Sequence, residues 1–264
     1  MKAQILNRLK AIEAENDVTV LYACESGSRA WGFDNSESDY DVRFIYKRND
    51  VRDYLSLSER SEVIEMMDDD LDIVGWDIKK ALYLHYRSNP NLREWTISPI
   101  VYVDWKMDIF EGLPDFDSAT LKYHYLNIVK NNWRKLSEEN LEITRRIIKM
   151  YMYNCRCILA WKVLDEENSP SINIFDLLEQ VKDLDGDVRQ DIEYLISYYK
   201  GNCEDGLDFN SIGRINQWMA SNLEVMRKDF PKKEANVDLR IYDGRFFDII
   251  LPDFEGYMNG RNNF

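Results

Sequence analysis

The sequence predicts an α+β chain in which a sheet-bearing N-terminal part gives way to a mostly helical remainder. Two observations carry this. Short β-branched apolar runs bounded by turn residues alternate with helical spacings as far as about residue 103, and beyond about residue 116 the only period is helical. No repeat or low-complexity linker marks a joint, so the division expected, 1–110 and 111–264, rests on the change of period alone.

Ile5, Leu6, Leu9 and Ile12 recur at helical spacing and stop before Asn16-Asp17. Val18 to Cys24 is apolar and β-branched, a buried strand that runs into the turn Glu25-Ser26-Gly27-Ser28. A short helix is expected at Arg29 to Trp31, then a polar loop from Asp34 to Ser38 and a second strand from Asp41 to Lys47. Ser61 to Met67 and Leu71 to Trp76 read as two further strands around the acidic turn Asp68-Asp69-Asp70. A helix from Ile78 to Arg87 is expected to stop at Ser88-Asn89-Pro90, where proline bars continuation. Helical periods then cover Leu121 to Leu136, Leu141 to Leu164, Ile174 to Val181, Val188 to Tyr199 and Ile212 to Met226. The stretch from Leu239 is rich in aromatics and glycine and receives no element.

Composition narrows the function classes. With 34 basic against 48 acidic residues the net charge is -14, so the surface as a whole does not attract a polyanion. Any nucleic-acid contact is local, and one segment qualifies: residues 118–164 hold nine basic and three acidic residues, a local +6. The four cysteines, Cys24, Cys155, Cys157 and Cys203, lack paired CxxC spacing, and with His85 and His124 the only histidines a zinc site is not expected. Reduced thiols, the absence of an apolar leader after Met1-Lys2-Ala3 and the lack of any run near the ~18 apolar residues that span a bilayer point to a cytoplasmic protein without a membrane segment.

The residues that carry chemistry lie between 27 and 72. Asp39 and Asp41 stand two apart where a loop enters a strand, so the period of 2 aims both carboxylates at one face and Tyr40 at the other. Carboxylate oxygens are the ligands magnesium prefers, and phosphoryl transfer relies on positioning plus metal ions so held. Gly27 permits close approach and positive φ. Ser28 offers a hydroxyl and, with Arg29, backbone N–H groups for a phosphate. Lys149, Tyr153 and Arg156 fall on one helical stripe suited to a triphosphate or base. There is no GxxxxGK[ST] loop, GxGxxG turn or G-x-S-x-G elbow.

Gly27-Ser28 followed by Asp39-Tyr40-Asp41 and a later strand carboxylate resembles the signature of the DNA polymerase β-like nucleotidyltransferase superfamily. The strings from Tyr22 to Phe33, Ser38 to Tyr46, Leu71 to Leu82 and Asn89 to Trp95 are similar to the YcgL/RlaP family of nucleotidyltransferases. The resemblance covers most of residues 18–103. It implies a small mixed sheet flanked by helices, two Mg2+ ions (Mn2+ as a substitute), an NTP donor such as ATP, and a helical domain after the sheet. It leaves the acceptor open among RNA, protein and small molecules. For the third carboxylate, Leu71-Asp72-Ile73 and Trp76-Asp77-Ile78 both fit. Asp72 is preferred because it falls inside the strand, whereas Asp77 precedes a helix as an N-cap would. The resemblance to the polymerase β-like superfamily implies that the third carboxylate helps hold the metal and accepts the proton of the attacking hydroxyl.

Each residue also has a plain structural reading. Arg29 and Arg43 either reach phosphate or pair with neighbouring carboxylates. Trp31, Trp76 and Trp95 either stack a base or pack a core. Two rival functions accompany the enzyme: a noncatalytic nucleotide-sensing or antitoxin-like module that keeps the fold, and an RNA-binding accessory protein working through the +6 segment.

Overall fold

A computed structural model describes residues 1–58, 60–68, 70–138, 140–165, 169–201, 206–229 and 237–251. The described residues form two compact units. One contains residues 1–26, 39–116 and the described part of 235–264; the other contains 27–38 and the described part of 117–234. The single cut expected between residues 110 and 111 therefore does not divide these units. A twelve-residue excursion belongs with the helices, and the C-terminal helix belongs with the sheet.

In the first unit, α1 (Lys2–Asn16) leads into β1 (Val18–Glu25), and the strands β2 (Tyr40–Arg48), β3 (Val63–Asp68), β4 (Leu71–Asp77) and β5 (Val101–Val103) complete a sheet of order β3-β4-β2-β1-β5. The pair β2–β4 is parallel and the other three are antiparallel, which makes the sheet mixed. Ile5, Leu9 and Ile12 of α1 pack with Val42, Phe44, Tyr46, Leu71 and Ile73 on one face. The opposite face buries Ile45 against Ile78, Ala81 and Leu82 of α4 (Ile78–Tyr86) and Leu92 and Trp95 of α5 (Pro90–Thr96). A bulge between Val20 and Tyr22 changes the parity of β1, so Val20 and Ala23 face α1 while Leu21, Tyr22 and Cys24 face α4.

Several features fall outside the sequence expectations. Pro90 does not merely end a helix; it opens α5 at the first helical position, with Asn89 capping the N–H of Leu92. The short α3 (Arg52–Leu55) and the three-residue β5 were not anticipated. The region from Leu239, left without structure, forms α11 (Leu239–Ile250). Asp238 caps it, and it buries Tyr242 and Ile249 against the α4 side of the first unit. Asp69 of the acidic turn, Glu139 and Cys203 lie outside the described residues.

The second unit begins with α2 (Gly27–Trp31) and continues with α6 (Ser118–Leu136), α7 (Arg145–Asp165), α8 (Ile174–Gln180), α9 (Gly186–Tyr199) and α10 (Phe209–Lys228). The long central helix starts at Arg145 rather than Leu141. Val129 of α6, Met152, Cys155 and Leu159 of α7, Leu195 of α9 and Ile215 and Met219 of α10 are all buried in this unit. Lys122, Lys135, Arg145 and Lys162 of the +6 segment each pair with a carboxylate.

Gly75 lies opposite Phe44 in the β2–β4 ladder, and a Cβ there would come within 2.1 Å of the buried Phe44 ring. Gly75→Ala is therefore expected to lower stability by about 1–3 kcal/mol by overpacking. Chemical denaturation of the full chain checks this; an unchanged midpoint would contradict it.

Candidate active site

Asp41 and Asp72 are direct Cα partners in the parallel β2–β4 ladder. On β2 the even-numbered residues Val42, Phe44 and Tyr46 are buried toward α1, with Tyr40 packed on the same cluster, which puts Asp41 and Arg43 on the opposite face. On β4 Leu71 and Ile73 likewise face α1 and Trp76 faces α4, so Asp72 shares that opposite face. The sequence expectation for Tyr40 and for Asp72 as a strand residue holds.

Arg43 joins the two carboxylates. Its Nη2 lies 2.9 Å from Asp41 Oδ1 and 2.7 Å from Asp72 Oδ2, and its Nη1 donates to the backbone carbonyls of Asp72 at 2.8 Å and Val42 at 3.1 Å. Of the two readings of Arg43, the structure shows the carboxylate pair. Asp39 sits one residue before β2 and is exposed. Among the described residues no group of three or more His, Cys, Asp or Glu side chains is assembled for a metal ion. The geometry thus brings Asp41 and Asp72 together around a guanidinium.

The sequence reading missed Glu25. It is fully buried at the end of β1, where Oε1 accepts the backbone N–H of Asp41 at 2.7 Å and Oε2 accepts the Tyr102 hydroxyl. A buried carboxylate thereby fixes the main chain that carries Asp41. The available signal was an acidic residue closing a mostly apolar strand two positions before Gly27.

Asp77 does what its position suggested. It caps α4, with Oδ1 accepting the Lys79 N–H at 2.9 Å and Oδ2 accepting the Tyr54 hydroxyl at 3.1 Å. Arg48 stands 3.8 Å away, and burial pushes the carboxyl up to about 6. This residue lines a cavity of about 520 Å³ with Arg48, Arg60, Glu62, Lys79 and Lys80, at the C-terminal ends of β2 and β4, whereas Asp41 and Asp72 lie at their N-terminal ends. Cys24, the ladder partner of Arg43, is a buried thiol raised to about 12 by desolvation, so it stays protonated at neutral pH.

The residues expected to meet phosphate, Gly27, Ser28 and Arg29, belong to the helical unit. Gly27 adopts φ 59°, the left-handed conformation that glycine reaches without strain, and Ser28 is buried beside it. Arg29 donates to the Ser38 carbonyl at 2.7 Å and lies 3.4 Å from Asp34. Lys200 also approaches Asp34, and Arg145 pairs with Glu37 at 3.1 Å, so three cations fasten the loop that follows α2. Lys149 is exposed on α7, whereas Arg156, on the same predicted stripe, is buried with its guanidinium 4.5 Å over the Trp31 ring and 5.1 Å over Tyr153. Spacing gave the stripe its face; burial separated its members. Trp76 and Trp95 stack on each other at 3.7 Å in the core, so the tryptophans take the packing role.

The model of RlaP, described as an RNA repair pathway DNA polymerase beta family, matches residues 1–248. The chain belongs to this family. Its RlaP-type sequence is also similar to the protein YcgL of Bacillus subtilis (strain 168), 34% identical over 230 residues that cover 85% of this chain and 86% of that protein. A solved structure of a nucleotidyltransferase-like protein from Exiguobacterium sibiricum 255-15 aligns over 96% of this chain and 91% of that one, at 14% identity and a TM-score of 0.37. Membership makes this RlaP-family chain polymerase β-like. No helix among its described residues is long and apolar enough to cross a membrane.

Two buried groups in the sheet unit give opposing pH dependences. His85, bonded through Nδ1 to the Tyr242 hydroxyl at 2.9 Å, is held down at about 4 by burial. Its neutral form is the folded one, so stability is lost as pH falls from 6.5 to 4. Asp77, raised to about 6, is protonated more readily when folded, so stability is gained as pH falls from 6 to 3.8. Each is worth at most roughly 3 kcal/mol. Asp77→Asn should therefore steepen the loss of stability between pH 6.5 and 4 relative to wild type, and His85→Gln should flatten it, both read by denaturation at stepped pH. Parallel curves for all three proteins would contradict the assignment.

Proposed function

We propose that this chain is a metal-dependent nucleotidyltransferase that moves an NMP group from an NTP to a hydroxyl on RNA. The observation that carries it is the Asp41–Asp72 pair, two carboxylates in direct register on one face of adjacent parallel strands, in a chain of the polymerase β family. The words RNA repair in the family description support RNA over protein or a small molecule as acceptor.

The donor set fits a hard divalent cation, since carboxylate oxygens are what Mg2+ selects. Asp41 and Asp72, with Asp39 joining from the adjoining loop, would hold it. When bound, the metal supplies charge stabilisation for the phosphoryl oxygens. The acceptor oxygen attacks the α-phosphorus, the bond to the β-bridging oxygen breaks, and pyrophosphate leaves with the NTP's two terminal phosphates. The hydroxyl proton passes to a carboxylate, for which Asp72 is assigned. Glu25 keeps Asp41 in place by holding its backbone. Gly27, Ser28 and Arg29 are assigned to the triphosphate. Lys149 is free to reach solvent and nucleotide, and Arg156 acts on α2 through Trp31 rather than on the ligand.

The assay incubates the full chain with α-labelled NTPs, Mg2+ and RNA bearing free hydroxyl ends. Wild type should transfer label to RNA. Asp41→Ala and Asp72→Ala should each lose on the order of a thousandfold or more, a scale comparable to removing a principal charge-stabilising group. Asp77→Asn should retain transfer. Binding of NTP without transfer to any acceptor would overturn the proposal and favour the nucleotide-sensing module.

A further inference from the structure

Two carboxylates directly opposite one another across a ladder repel, and this costs sheet stability. Asp41 and Asp72 occupy that relation in β2 and β4. The chain answers with Arg43, two residues further along the same face of β2. One nitrogen of its guanidinium touches an oxygen of each carboxylate, and the other donates to two backbone carbonyls. The group is thereby fixed on four acceptors. The three side chains are only 15%, 23% and 28% exposed, so their charges are partly shielded from solvent.

We propose that Arg43 is a resident countercharge that positions Asp41 and Asp72 and sets how tightly a divalent cation binds there. The proposal rests on the reading of this pair as the metal-holding carboxylates. Arginine stays protonated at any working pH, and its planar fork bridges two carboxylates where the compact ammonium of lysine reaches fewer acceptors. A cation within 3 Å of both groups competes for their oxygens and lowers the local negative potential that draws in a metal ion. It also relieves the repulsion between the strands, so the ladder closes without metal. Removing the charge reverses both effects at once. The pair attracts a divalent ion more strongly, and the fold comes to depend on that ion, because a ligand that binds only the folded state stabilises it by mass action.

This separates a countercharge from an ordinary structural arginine. Loss of a packing or hydrogen-bonding residue lowers stability and leaves metal affinity unchanged or weaker. Loss of a countercharge lowers stability and raises metal affinity.

The test titrates the full-length protein with Mn2+, free ion being read by electron paramagnetic resonance, and follows thermal unfolding in chelator and in Mn2+. The proteins are wild type, Arg43→Gln, Arg43→Lys and Asp41→Asn. Arg43→Gln should bind Mn2+ on the order of tenfold more tightly than wild type. It should also unfold at lower temperature in chelator and gain more from Mn2+. Arg43→Lys, which keeps the charge and loses the bridge, should fall between the two and preserves the test where the glutamine variant does not fold. Asp41→Asn should bind weakly. Affinity in Arg43→Gln or Arg43→Lys equal to or below wild type, with Asp41→Asn still defective, would overturn the countercharge alone. Mn2+ binding indifferent to Asp41→Asn would overturn the metal-site reading and this proposal with it.

Discussion

The parallel pairing of β2 with β4 is the constraint on which the candidate site depends. Hydrogen bonding in this ladder fixes Asp41 opposite Asp72, and the burial of Val42, Phe44, Leu71 and Ile73 toward α1 leaves those carboxylates no choice of face. A slip of one residue in either strand would send that strand's carboxylate into the apolar layer. Phe44 lying over Gly75 helps hold the register, since a side chain at Gly75 has no space.

Around that pairing the chain uses polar groups to hold backbone and carboxylates in place. Glu25 anchors the Asp41 N–H from the neighbouring strand, and Arg43 settles the repulsion between the two aspartates. In the helical unit, Arg29, Lys200 and Arg145 secure the acidic loop after α2, while Arg156 lies across Trp31. Charges that look like ligand contacts in one dimension are thus largely engaged with the protein itself. The same holds for the +6 segment, where intramolecular pairs absorb much of the positive charge and weaken the case for a broad RNA-binding surface.

Local features were legible in the sequence because their causes are local. The facing of Tyr40, the strand setting of Asp72 and the N-cap at Asp77 all follow from periods and capping preferences a few residues long. The helix from Leu239 was also written locally, in Asp238 followed by Tyr242, Phe246 and Ile249, but its aromatics and glycine masked the spacing. Pro90 was read as a stop when it also begins a helix. What was not legible depends on distant pairing: the Asp41–Asp72 register spans 31 positions, the bridge by Arg43 follows from it, and the compact units regroup segments far apart in the chain. Burial of Arg156 belongs to the same class, since helical spacing tells which residues share a stripe and not what covers it.

The central claim is that Asp41 and Asp72 together hold the ion on which nucleotidyl transfer turns. Anomalous diffraction from crystals grown with Mn2+ and a nonhydrolysable NTP tests it most directly. The account predicts an anomalous peak bonded to carboxylate oxygens of both Asp41 and Asp72, with the α-phosphate on the same ion. An ion bound instead in the cavity beside Asp77, with none at the Asp41–Asp72 pair, would contradict it.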